Sequence, residues 1–120
     1  MKALQWQKSN QELVVKYPDL TQKVWAQVIK DFSLEAMEIN EIEVTTLDEI
    51  YNQVYPEVTR FIKFDFNALM RLLYRIDISE LAVKKQMDLM PDDTAQAISS
   101  LIVKREIQKV VLRKQFSAGI

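Results

Sequence analysis

The stretch Thr46-Leu47-Asp48-Glu49-Ile50-Tyr51-Asn52-Gln53-Val54-Tyr55-Pro56-Glu57-Val58-Thr59-Arg60-Phe61-Ile62 decides the fold class. Its apolar residues Leu47, Ile50, Tyr51, Val54, Tyr55, Val58, Phe61 and Ile62 return every three or four positions, which lines one face of an α-helix. Thr46 and Glu49 form a capping box, in which two side chains satisfy N–H groups that the first turn leaves free. The spacing predicts a helix over 47–63. Pro56 has no N–H to donate and its ring crowds the turn before it, so a kink or break is expected near Tyr55.

The same periodicity extends outward in both directions. Upstream, Leu20, Val24, Trp25, Val28, Ile29 and Phe32 predict a helix over 20–32. Before it, Ser9-Asn10-Gln11-Glu12 reads as a capping box opening a first helix that Pro18 limits. Between 33 and 46 the pattern fades. Glu41-Ile42-Glu43-Val44-Thr45 alternates and is β-branched, so a short peripheral strand at 41–45 competes with a solvated acidic loop, which is the preferred reading. Downstream, Asp65 or Asn67 is positioned to cap a segment running from Phe66 to Ile76 that is apolar on more than one face and is therefore expected at the centre. Ser79 caps a following helix that Pro91 ends, and the short connection suggests that these two helices pack as neighbours. Asp92 and Asp93 then precede a long helix over 93–116, expected to lie along the central one.

Composition agrees with this reading and removes whole classes of chemistry. The 120 residues include no histidine and no cysteine, and the single glycine is Gly119. Without interior glycine the chain lacks the punctuation of a hairpin-rich β protein. Zinc sites built on thiolates or imidazoles, histidine general bases and Ser-His-Asp or Cys-His nucleophiles are excluded, as are glycine-rich phosphate loops. No cofactor is expected. Residues 1–120 read as one helical domain, with residues 1–8 a mobile N-terminal segment. The beginning of the sequence has no apolar leader, and no apolar run approaches the roughly 18 residues that a membrane span needs, so a cytoplasmic protein without membrane contact is expected.

Charge is unevenly distributed. Residues 31–60 hold eight acids against Arg60, a net charge of −7, whereas residues 104–114 carry a net +4. The acids Glu38, Glu41 and Glu43 and the bases Lys104, Arg105, Lys109, Arg113 and Lys114 are candidate interaction residues. Trp6 joins them because it stands in a polar segment outside any stripe. A cation site on Glu35, Glu38, Glu41 and Glu43 lacks the fixed ligand spacing and turn glycine of a calcium loop, which favours a solvated acidic face. Tyr74, Arg75, Asp77 and Glu80 form a second polar cluster. Flanking isoleucines suggest partial burial of Arg75 and Asp77, with Lys104, Arg105 and Glu106 as partners. Its structural reading is an ion-pair network with a helix cap, and its chemical reading is a carboxylate pair doing acid–base work.

The segments Leu72-Leu73-Tyr74-Arg75-Ile76-Asp77-Ile78-Ser79-Glu80 and Leu101-Ile102-Val103-Lys104-Arg105-Glu106-Ile107-Gln108-Lys109-Val110-Val111-Leu112-Arg113-Lys114 together resemble a group of small uncharacterised bacterial proteins. The resemblance covers the C-terminal half. It implies a compact helical protein of the bacterial cytoplasm and carries no activity. The expectation is therefore an all-α, compact bundle of about five helices, serving as a non-enzymatic interaction or assembly module whose partner is an unidentified protein or a second copy of the chain. One form of it pairs the acidic 35–49 region of one molecule with the basic 104–114 face of another. The alternative is a nucleic-acid-binding regulator using the basic last helix, and the third reading is a carboxylate-dependent enzyme centred on Asp77 and Glu80.

Overall fold

The computed structural model describes residues 7–118, with side chains described for residues 10–117. Six helices follow one another: α1 (Gln7–Lys16), α2 (Leu20–Leu34), α3 (Leu47–Phe64), α4 (Phe66–Arg75), α5 (Glu80–Leu89) and α6 (Thr94–Ala118). There is no strand among the described residues. Most of the expected segment 1–8, and Trp6 with it, lies outside the described residues. Gln7 already belongs to α1, so the Ser9–Glu12 pattern falls inside that helix rather than at its start.

The stripe that predicted α3 is the one it buries: Leu47, Ile50, Val54, Val58 and Phe61 face the core. Its capping box forms, with the Glu49 N–H donating to the Thr46 hydroxyl at 3.2 Å. The Glu49 carboxylate reaches one residue further back, accepting from the Thr45 hydroxyl at 2.6 Å. Contrary to the break expected near Tyr55, α3 runs unbroken through Pro56. Pro56 and Asn52 both lie on the exposed side, so the Asn52 carbonyl that the proline leaves without a donor faces solvent.

Capping residues take over the work of the missing glycines. Asp65 closes α3 through its N–H to the Phe61 carbonyl, 3.0 Å, and opens α4 through its carboxylate, which accepts from the Ala68 N–H at 3.1 Å. Ser79 accepts from the Ala82 N–H to open α5, and Asp93 from the Gln96 N–H to open α6. Two helices end in left-handed turns. At the end of α2, Ala36 (φ 55) lets its own N–H reach the Ser33 carbonyl and the Met37 N–H reach Phe32. Asp77 (φ 67) does the same after α4, with bonds from Asp77 to Tyr74 and from Ile78 to Leu73. These are Schellman closures, and in each a buried apolar pair, Met37 with Phe32 and Ile78 with Leu73, accompanies the hydrogen bonds. A side chain with a Cβ sits in this conformation at a cost of about 1–2 kcal/mol relative to glycine.

The centre of the fold is α6 rather than α4. The last helix is flanked by α2, α3 and α5, while α4 packs on α3 and α2. Only Ala68, Leu69, Leu72 and Leu73 of α4 are buried, and the aromatic residues Phe66 and Tyr74 that suggested a second apolar face point outward. From α6 the core receives Ala95, Ala97, Ile98, Ile102, Val103, Ile107 and Val110, together with Ser99 and Ser100, small side chains over which α3 approaches closely. Despite its short link to α4, α5 packs on α6, and it contributes no fully buried residue. The buried apolar residues form one continuous cluster with a radius of gyration of 13.9 Å for the chain, about the value for a compact fold of this length.

Residues 41–45 form no strand. With no partner strand available, the segment runs beside α2, whose side chains satisfy its carbonyls: Trp25 donates to Ile42 at 2.9 Å and Gln22 to Val44 at 3.3 Å. Met37 and Val44 anchor it in the core.

Candidate interaction face and a buried polar cluster

The residues singled out from the sequence separate into three groups. Glu38, Glu41 and Glu43 are exposed on the 35–46 loop, and no metal-holding group of acids occurs among the described residues. Glu35 instead faces α4, where Arg75 and Arg71 donate to its carboxylate at 2.8 and 3.2 Å. The Arg75 hydrogen bond, ahead of the weaker one from Arg71, holds the Glu35 carboxyl below the usual range.

The Tyr74–Glu80 group is on the surface. The Asp77 side chain is 87% exposed, against the partial burial expected from its isoleucine neighbours, because those isoleucines point inward while the left-handed turn swings Asp77 out. Arg105 reaches this corner, donating to the Ile76 carbonyl at 3.2 Å and to Asp77 at 3.4 Å. Glu80 is exposed in the first turn of α5. Both carboxylates thus stand in water, without the burial that tunes a general acid or base.

Of the basic run on α6, four members have partners within the fold. Arg105 holds the α4–α5 corner, Lys109 contacts Asp31, Arg113 donates to the Gln27 carbonyl at 2.7 Å, and Lys114 pairs with Asp19. The hydrogen bond from Lys114 lowers the Asp19 carboxyl. Lys104 is exposed, and it is the one base of this run with neither an ion pair nor a side-chain hydrogen bond among the described residues.

Lys104 lies on the outward face of α6, in the wall of the first of two shallow grooves that share Arg105 and Gln108. One, of about 560 Å³, has Tyr74, Ile78, Ala82 and Leu101 along its walls. The other, of about 340 Å³, continues toward the end of α6 past Ile107, Val111 and Leu112 to Leu13 of α1. Tyr74 is 87% exposed beside the first groove, and Leu112 is half-exposed in the second. From Leu101 to Leu112 this face is about 17 Å long, three turns of helix. No family model, curated protein or solved structure matches the chain.

On the inward side of the same helix is a cluster that sequence reasoning missed. Glu106 is 0% exposed and Asp31, on α2, is 4% exposed. Gln27 donates to both Asp31 oxygens at 3.1 Å, and the Lys109 ammonium adds a third bond at 3.2 Å. Neither Glu106 oxygen accepts a hydrogen bond, and the nearest cation, Lys109, is 3.4 Å from Oε1. The two carboxyls flank the same ammonium, Lys109, which is 3.2 Å from Asp31 and 3.4 Å from Glu106. Burial, then the hydrogen bond and charge of Asp31, push the Glu106 carboxyl up to about 8 against the pull of Lys109. Burial alone would raise Asp31 too, but the bonds from Glu106, Gln27 and Lys109 outweigh it and lower that group. The signal was available: Ile98, Ile102, Glu106 and Val110 recur every four residues, and Val24, Val28 and Asp31 follow at four and then three on α2, so each acid occupies a slot on a buried stripe.

Proposed function

We propose that the protein is a non-enzymatic interaction module, cytoplasmic in setting, and that the outward face of α6 receives an amphipathic helix of a partner protein. The observation that carries this reading is the unpaired Lys104 in the wall of one apolar-lined groove that meets a second at Arg105 and Gln108. Leu101, Leu112, Ala82 and Tyr74 offer apolar contact along three helical turns, the form in which a groove takes up the i, i+3, i+4, i+7 anchors of a helix. Lys104 favours a partner helix with an acidic side chain at mid-length, where one opposite charge is met and no like charge is buried. Arg105 is already held by Asp77 and Ile76, so the floor beneath the partner is preorganised.

The internal pairing of Arg105, Lys109, Arg113 and Lys114 favours a protein partner over nucleic acid, since binding to phosphates draws on several free cations at once. Affinity capture from the native cell, with quantitative mass spectrometry, tests the proposal. Tyr74→Ala and Lys104→Glu should each reduce recovery of the same protein by tenfold or more, and Phe64→Ser, exposed and outside both grooves, should retain it. Identical recoveries from all four proteins would refute the proposal. So would capture of nucleic acid as the only species sensitive to Lys104→Glu, and recovery of a second copy of the chain alone would replace the partner with self-assembly.

A further inference from the structure

The α2–α6 junction contains two carboxyl groups withdrawn from water and one ammonium, Lys109, whose side chain is 26% exposed. With both carboxyls ionised the group would carry a net charge of −1, and with one proton retained it is neutral. A buried, uncompensated charge is strongly disfavoured, and the geometry shows which group keeps the proton. Asp31 is surrounded by donors, two bonds from Gln27 and one from Lys109, whereas Glu106 accepts none. Glu106 therefore has every reason to be the donor and Asp31 the acceptor. Gln27 is oriented for its part by Arg113, which binds the amide oxygen at 2.7 Å and so turns the amide nitrogen toward Asp31.

We propose that Asp31 and Glu106 hold a single proton between them in the closed fold, and that its release loosens α6 from α2. On release the proton passes from the Glu106 carboxyl to solvent base, and two carboxylates are left facing each other with Lys109 as the one adjacent cation. The other elements around this core offer no further compensation. The pair Glu57 and Arg60 on α3 is satisfied at the surface, Arg71 and Arg75 of α4 are engaged by Glu35, and α5 buries nothing. From α1, the partly buried contacts are Leu13 and Val14. Relief comes only from admitting water between the helices. The junction thus acts as a latch that is closed by the proton, and it is independent of whether a partner binds the outer face.

The test is infrared spectroscopy of the full chain at near-neutral pH, where one of the nine glutamates should retain a protonated-carboxyl band. That band should be absent from Glu106→Gln. On alkaline titration of a Trp6→Phe background it should disappear in step with a change in the emission of Trp25, which sits buried on α2. Glutamate-labelled wild-type protein read by carbon NMR reports the same titration without requiring any variant at 106 to fold. Absence of a protonated glutamate at neutral pH would overturn the shared proton. A band that survives in Glu106→Gln would do the same, and a titration that leaves Trp25 emission unchanged would overturn the latch.

Discussion

Replacing Glu106 with glutamine should make the protein more stable, and more so as the pH rises. In the folded chain Glu106 keeps its proton up to about pH 8, whereas the unfolded chain releases it near the ordinary value of 4.5. Between these values the folded state binds one proton more than the unfolded state, so stability is fully present below about 4.5 and declines as pH rises toward 8. Each unit is worth about 1.4 kcal/mol, so at pH 7 the loss is about 3 kcal/mol. Glutamine has the shape of the protonated acid, presents an N–H₂ to Asp31 and has nothing to release. The variant should therefore exceed wild type by up to about 3 kcal/mol at pH 7, with the difference vanishing below about pH 4. Asp31, whose carboxyl is lowered, acts with the opposite sign: its contribution is present above about pH 4 and is lost on further acidification, in both proteins. Urea unfolding followed by tryptophan emission would report the gain as a midpoint shift of about 1–3 M at pH 7. A wild-type stability that does not change between pH 5 and 8, or a glutamine variant no more stable than wild type at pH 7, would refute the reasoning.

Two further outcomes are expected. Ala36→Gly should raise stability by about 0.5–1 kcal/mol, because relief of the left-handed strain exceeds the added freedom of the unfolded chain; a lower thermal midpoint for the variant would count against the turn at φ 55. Ile102→Ala, in the middle of α6, should lose about 2–5 kcal/mol, whereas Leu81→Ala on the exposed face of α5 should change stability by less than about 0.5 kcal/mol. Comparable losses at the two sites, read by denaturant titration, would contradict the placement of α6 at the centre.

Stripes with one apolar face were legible because helical period alone determines them. Val24, Val28 and Phe32 in α2 and Ile50, Val54 and Phe61 in α3 needed no tertiary knowledge, and neither did the caps at Thr46, Asp65 and Ser79. What escaped depended on neighbours. Phe66 and Tyr74 lent α4 a second apolar face that no helix covers, while the alanines and serines at 95, 97, 99 and 100 gave little sign of how closely α3 would approach α6. The loop preferred at 41–45 over a partnerless strand was legible, but its path was not, because it follows the long-range bonds from Gln22 and Trp25. Glu106 was hidden by linear counting. Tallied along the chain it is one acid among five bases, but viewed around the helix it belongs to the stripe of Ile102 and Val110. Lys104 was legible as a base, and its isolation was not, because Asp19, Gln27, Asp31 and Asp77, which occupy its neighbours, lie between 28 and 95 residues from those neighbours in sequence.

The junction of Asp31, Glu106 and Lys109 also limits how this sequence can drift over generations. Loss of Lys109 alone leaves the buried Asp31 charge without its counterpart, a step that costs about 3–5 kcal/mol. A domain of ordinary stability, about 5–15 kcal/mol, has little room for such a step. Glutamine at 106 is the open single-step exit, since it keeps the cluster neutral and filled. Among descendants of this chain Lys109 should therefore persist wherever Asp31 does, or the two should give way together to apolar side chains.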